Sequence, residues 1–266
     1  MSRWRGTAWP FVVVLALLLI AAVAPLLAPY APDAVDLAAR RQPPSLHHWF
    51  GTDELGRDVL TRVWYGARVS LAVGVLSALL ASALGALVGG AGGYRGGWLD
   101  AALMRLTDAL LAVPRLPLLM IAASILQPSI PVLIVLVGVV GWMETARVVR
   151  ADVLSLAQRP FVEAARATGA PDLRIVPLHI LPNAAPAMAV STTLAVGRSI
   201  LLESALSFFG VGVQPPAASW GNMLYQAQTT MTTAPWLALF PGLMIFLAVF
   251  AINGVGERLA HRSRGA

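Results

Sequence analysis

Six stretches of the chain are apolar for long enough to cross a bilayer, and polar intervals separate them. A crossing needs ~20 apolar residues, because a helix rises 1.5 Å per residue and the hydrocarbon core is ~30 Å thick. The first stretch is Trp9–Ala28 and the second is Val69–Tyr94. The third runs from about Thr107 to Gln127. The fourth opens as Ile130–Met143 and continues into Glu144, Arg147, Arg150 and Asp152. The fifth is Ala184–Leu206 and the sixth is Trp236–Val255. A basic start with Arg3 and Arg5, and small residues near Ala28 and Ala31, would also suit a cleaved signal peptide. Leu26-Leu27-Ala28 carry the apolar run past a signal core, so a retained first helix is expected. The expected fold class is all-α, a polytopic membrane protein with six transmembrane helices. Its organisation would be a first helix within 1–29, an external loop at 30–68, a core at 69–256 and a short tail at 257–266. The core contains polar loops at 156–183 and 207–235.

The polar intervals carry their own helix signals. Within Pro29–Arg68, Pro43-Pro44 marks a turn, and Thr52 is placed to cap a helix over Asp53–Gly66. Leu55, Val59, Leu60, Val63 and Trp64 would share one face of it, with Asp58–Arg62 as an i,i+4 pair, so it reads as an amphipathic surface helix. In Pro160–Asn183, Pro160 suits the first helical position and Gly169 the residue just past the end. The predicted helix Phe161–Thr168 is about 12 Å long, far short of a span. Ala164, Ala165 and Ala167 leave much of it without bulk, so another protein's backbone can come close. In Ser207–Pro235, Ser219 is placed to cap a short helix reaching about Gln228.

Inside the spans, small residues and charges matter most. Gly74, Ala78, Ser82, Gly85 and Gly89 recur at helical spacing on the second span and permit close helix packing in lipid. Pro114 and Pro117 kink the third span, so either Asp108 and Arg115 face a wet cavity, or Asp108 pairs with Arg105 or Arg115 near the membrane edge. Arg198 lies within the fifth span and Glu203 near its far end. A charge there costs at least ~2.5 kcal/mol, so each should face the bundle interior with a partner on another helix, as part of a pathway or gate or as a packing pair.

Composition agrees with the pattern. The 266 residues are 58% hydrophobic and 12% charged, against ~25% charged for a soluble domain. The net charge of +6 comes from arginine alone, since there is no lysine, and it reads as membrane topology and not as nucleic-acid binding. With the N-terminus inside, the Pro160–Asn183 loop falls on the arginine-rich side. Arg40, Arg41, Arg57, Arg62 and Arg68 fall on the other, offset by Asp33, Asp36, Asp53, Glu54 and Asp58. The positive-inside rule therefore places that loop, and both termini, in the cytoplasm. A P-loop needs a lysine, so any ATPase that drives this chain is another polypeptide. There is no cysteine. The histidines are scattered, His47-His48 read as an exposed pair, and no metal-ligand or catalytic motif appears.

Glu163-Ala164-Ala165, then Gly169, then Ile180-Leu181-Pro182, resemble the EAA loop of importer-type ABC permeases. His179 stands where the general pattern has an apolar residue, as the peptide branch of that family often does. Gly51–Asp58 with Tyr65–Ser70, and Ala205–Pro216 with Ser219–Leu224, resemble the C-type subunit of dipeptide, oligopeptide and nickel importers. The resemblance covers about Leu46 to Leu259. It implies a non-catalytic subunit of the bacterial inner membrane that pairs with a B-type permease subunit. ATPase subunits would hold ATP and Mg, no cofactor would be bound by this chain, and an extracytoplasmic substrate-binding protein would deliver the solute. It also implies that Glu163, Ala164, Ala165, Arg166, Gly169, Ala170 and Asp172 couple to the ATPase. Asp53, Glu54, Arg57, Asp58, Trp220 and Asn222 become candidates for contact with the binding protein, or elements of an outer loop that touch nothing else. Dipeptides or oligopeptides are the expected solutes, with nickel, haem or another small solute as the alternative. A stand-alone secondary transporter or membrane enzyme is the more distant one.

Overall fold

The computed structural model describes residues 8–265, with the backbone alone for Leu173 and residues 262–265. Arg3 and Arg5 of the basic start, and the side chains of Arg262 and Arg264, lie outside the described residues. The described chain is helical throughout its regular parts. The helices are α1 (Trp9–Leu27), α2 (Val59–Arg95), α3 (Gly97–Leu111), α4 (Arg115–Leu126), α5 (Ile130–Leu156), α6 (Pro160–Ala167), α7 (Asp172–Ile175), α8 (Leu181–Phe208), α9 (Trp220–Ala227) and α10 (Trp236–Gly265). Five are long and apolar enough to cross a membrane, and six spans result if α3 and α4 count as one.

That pair corrects the expected third span. The crossing starts at Gly97, earlier than Thr107, and it breaks between Leu111 and Arg115 with a bend of 83°. Pro114 is the N-cap of α4 in an extended conformation, which removes an amide and pushes the preceding residue out of the helical region. Pro117 sits in the first turn of α4, where its missing N–H costs nothing.

The outer loop also departs from expectation. No helix starts at Asp53. Asp53 Oδ1 accepts from the Leu55 and Arg57 amides at 2.8 and 3.0 Å, which closes a turn. Gly56 in that turn has φ +74°, a left-handed value that ends helical propagation. Helix α2 begins at Val59, with Asp58 as its cap accepting from the Thr61 amide at 2.8 Å, and it runs unbroken into the second span. Its first turns are buried and do not lie on the membrane surface. The expected Asp58–Arg62 pair is absent, because Asp58 meets His48 at 2.9 Å while Arg62 faces Asp53 at 3.6 Å and Asp33 at 3.9 Å.

The core is built on α2. Its largest interface is with α5, and α8 packs against both. The small residues explain the closeness. A Cβ on Gly85 would lie 2.7 Å from Thr145 Cβ, and one on Gly93 would lie 2.8 Å from the Arg150 carbonyl oxygen. A Cβ on Gly89 would collide with the Ala146 carbonyl oxygen. In lipid there is no water to expel between helices, so such backbone-to-backbone contact supplies the dispersion attraction that joins them. Gly74 does the same for α8, where Ile200 fills the space a side chain would need. Hydroxyl pairs add to the seams, with Ser82 to Thr192 at 2.7 Å and Ser191 to Thr145 at 3.2 Å.

These contacts make a contrast between adjacent glycines testable. Gly89→Ala forces backbone apart and should lower the thermal stability of the detergent-purified protein by about 1–3 kcal/mol. Gly90→Ala meets only Leu181 Cδ2 at 3.8 Å and should cost less than about 0.5 kcal/mol. Equal melting of the two variants would contradict the packing described.

Candidate functional site

Helix α6 is only 8 residues long, and an isolated helix under ~12 residues is marginal in water. Three local devices hold it. Arg159 precedes it in extended conformation and Pro160 starts it. At its end Gly169 has φ +78° and its amide donates to the Arg166 carbonyl at 2.9 Å, while the Ala170 amide donates to the Ala165 carbonyl at 3.1 Å. This is a Schellman closure, which needs a left-handed residue at the glycine. Val162 and Ala165 are then buried against Val149 and Val153 of α5 and against Ile175 and Ile180. The Arg166 guanidinium lies 5.3 Å over the Tyr94 ring, and the Tyr94 hydroxyl donates to Asp172 Oδ1. Tyr94, and then the Asp172 and Glu163 carboxylates, hold the Arg166 guanidinium above its ordinary value, so it stays charged at any physiological pH.

The opposite face of α6 is bare. Glu163, Ala164, Arg166, Ala167, Thr168 and Gly169 are exposed. Beside it lies a concavity of about 350 Å³ lined by Ala165, Thr168, Gly169, Ala170, Pro171, Arg174 and His179. The chain then enters α8 through a π-helical turn, Val176–Ile180, which contains Pro177 and is followed by Pro182. Of the seven residues expected to couple to a partner, Ala165 faces inward, Asp172 anchors Tyr94, and Ala170 is half-buried beside the concavity. Glu163, Ala164, Arg166 and Gly169 are left open.

A second cluster joins α4, α5 and α8. Glu144 Oε1 accepts from Arg115 Nη2 at 2.7 Å, and Glu144 Oε2 pairs with Arg198 Nη1. Along α5 the next charges are met in the same way, Arg147 by Asp108 and Arg150 by Asp100 through two hydrogen bonds. Asp108 therefore does not pair with Arg105 or Arg115, as the sequence suggested. Its partner is on the neighbouring helix. Glu144 was the residue that sequence reasoning missed as a member of this group. An acid directly after the apolar run Ile130–Met143 was the signal, and its place on the basic side of the fourth span concealed it.

Glu203 is elsewhere. It is fully buried, and its oxygens accept from Ser70 at 2.9 Å, Ser207 at 2.8 Å and Ser204 at 3.5 Å. Ser70 Oγ in turn accepts from the Trp220 amide, and Ser207 Oγ from the Val213 amide. Glu203 thus ties the outer segment Val213–Trp220 to α2 and α8, and it does not line an open surface. Trp220 is buried too, with its indole donating to the Val63 carbonyl at 3.0 Å, and Asn222 completes a capping box with Ser219. Asp53, Arg57 and Asp58 are likewise enclosed. Arg57 bonds Asp53 Oδ2 at 2.6 Å and Gln226 at 3.2 Å, joining the outer loop to α9. Of the residues proposed to meet a binding protein, only Glu54 reaches the surface, where it pairs with Arg41. Among the described residues no group of three or more His, Cys, Asp or Glu could hold a metal ion.

Residues 81–265, which include α6 and the charged cluster, match the family model described as binding-protein-dependent transport system inner membrane component. The chain belongs to that family. Residues 10–44 match a second model, the N-terminal transmembrane domain of oligopeptide transport permease C. Among curated relatives, the dipeptide transport system permease protein DppC of Bacillus subtilis is 41% identical over 248 residues, covering 93% of this chain and 78% of that protein. A putative peptide permease protein of Brucella suis is 42% identical over 257 residues, covering 96% and 85%. The oligopeptide transport system permease protein OppC of Bacillus subtilis is 38% identical over 248 residues, covering 93% and 81%. The family match takes in α2 from Ala81 onward and every described residue after it.

The enclosed carboxylate offers a test of the outer segment. Glu203→Ala should lower stability by roughly 2–4 kcal/mol, through the lost volume and the orphaned serine hydroxyls. Limited proteolysis should then cut faster within 209–219. Unchanged cleavage there would show that Glu203 does not hold the segment.

Proposed function

We propose that this chain forms half of the translocation pathway of an ATP-driven importer of dipeptides or oligopeptides, and that it performs no catalysis itself. A related B-type subunit supplies the other half, separate ATPase subunits hydrolyse ATP, and an external binding protein delivers the solute. The peptide substrate rests on the relatives, whose names state dipeptide, oligopeptide or peptide transport.

The observation that carries the proposal is α6. It is a short helix outside the spans, rigidly attached to α5 and to the base of α8 by its buried face, and bare on the other face. A partner that grips the bare face moves α5 and α8 with it. The alanines let the partner's backbone approach, while Glu163 and Arg166 give charged hydrogen bonds at the rim. The arginines Arg147, Arg150, Arg159, Arg166 and Arg174 cluster at this end of the spans, which by the positive-inside rule supports a cytoplasmic position for it and for both chain termini. Nucleotide binding then biases a bundle with two arrangements, one open to each side.

Two substitutions on α6 test the coupling. Gly169→Pro cannot adopt φ +78° and should undo the Schellman closure. Glu163→Arg reverses a rim charge on the exposed face. Each should reduce ATP-dependent peptide uptake by an order of magnitude or more, while membrane insertion of the chain remains at wild-type level. Uptake and ATPase assembly equal to wild type in both variants would overturn the proposal.

A further inference from the structure

The group formed by Arg115, Glu144 and Arg198 has two guanidiniums and one carboxylate, a net charge of +1. Its depth follows from the helices. Glu144 lies 14 residues along α5 from Ile130, about 21 Å, and Arg198 lies 10 residues before the end of α8, about 15 Å. In a hydrocarbon layer ~30 Å thick, Arg198 therefore sits near the middle and Glu144 about two-thirds of the way across, toward Arg147 and Arg150. Charges at that depth belong beside water or inside a bundle. This group is not sealed in the chain, since the side chains are 23%, 35% and 43% exposed for Arg115, Glu144 and Arg198.

The two arginines hold Glu144 unequally. Arg115, at the start of α4, is the more enclosed and donates to Oε1. Arg198 is the most exposed, and Glu144 is its one ion-pair partner among the described residues. An arginine has five N–H donors, so most of those on Arg198 are free to meet something else. The turn after Glu144 carries the Arg147–Asp108 pair, and the other neighbouring positions are apolar. Leu194 and Leu201 lie about one turn to either side of Arg198, with Leu201 48% exposed, and Val140 and Gly141 lie one turn before Glu144.

The geometry points to a station for the terminal carboxylate of a peptide in transit. The solute's carboxylate takes Arg198 from Glu144 by forming a bidentate pair, and Arg115 keeps Glu144 in place. This inference rests on the proposed reading of the chain as half of a peptide pathway. An anion brings the group to neutrality, and the apolar flanks accept peptide side chains. A naked divalent cation would instead meet a site that is already positive. Because Glu144 stays within reach of Arg198, it competes for the guanidinium again and lets the solute leave, as a pathway site must.

The test uses the complete complex in proteoliposomes, with ATPase and permease partners inside the membrane and the binding protein outside. The solutes are labelled alanyl-alanine and its C-terminal amide. Arg198→Gln should lower alanyl-alanine uptake about 10-fold, the value of a charge-assisted bond. It should leave uptake of the amide and binding-protein-stimulated ATP hydrolysis within about 2-fold of wild type. Arg198→Lys should restore alanyl-alanine uptake to within about 3-fold. The inference is overturned if Arg198→Gln lowers both solutes equally or neither. It is also overturned if both variants lose stimulated ATP hydrolysis in parallel with uptake, which marks a purely structural ion group. Absence of stimulated hydrolysis in the wild-type complex would instead strike the proposed function itself.

Discussion

Hydrocarbon offers no hydrogen bonds, so every polar group that a helix carries into the bilayer has to be met by another helix or by water. Helix α5 carries Glu144, Arg147 and Arg150 on successive turns and is arranged around that demand. Arg150 and Arg147 reach Asp100 and Asp108 on α3, and Glu144 reaches Arg115 on α4 and Arg198 on α8. The three contacts fall on successive turns. They bracket the break between α3 and α4, with one ion pair just before it and one just after. On its other side α5 is pressed against the glycines of α2, backbone to backbone. A helix held on both sides in this way moves as a rod.

The rod has something attached to its inner end. Val149 and Val153 of α5 share a core with Val162 and Ala165 of α6 and with Ile175 and Ile180. Val153 is nine residues from Glu144, about 14 Å along the helix. In the proposed importer, a push on α6 therefore reaches the charged group through one stiff element, with no chain of separate side-chain shifts in between. The outer end is fastened differently. There Glu203 gathers three serine hydroxyls and, through two of them, backbone amides of the outer segment. The polar centre around Glu144 is thus open, while the one around Glu203 is closed.

Much of this was legible beforehand. The spans showed because hydrocarbon tolerates few residue types, and α6 showed because Pro160 and Gly169 impose local backbone geometry at both ends. The cap at Ser219 was legible for the same reason. What failed depended on contacts between distant segments. Thr52 and Asp53 look like a helix start, but Asp53 bonds into its own turn and to Arg57, so the start moves to Val59. Asp108 sits three positions from Arg105, yet its partner is Arg147, on a helix that sequence spacing cannot bring near. Trp220 and Asn222 read as surface contacts because they lie in a polar interval, and the fold turns that interval inward.

The central claim is that the bare face of α6 lies in the cytoplasm and is gripped there. The chain has no cysteine, so a single Ala164→Cys provides a unique label on that face. Modification by a membrane-impermeant maleimide in inside-out and right-side-out vesicles, with and without the ATPase subunits, reads both its side and its occupancy. The account predicts labelling only in inside-out vesicles, and protection when the ATPase is bound. Labelling in right-side-out vesicles, or equal labelling whether or not the ATPase is present, would contradict it.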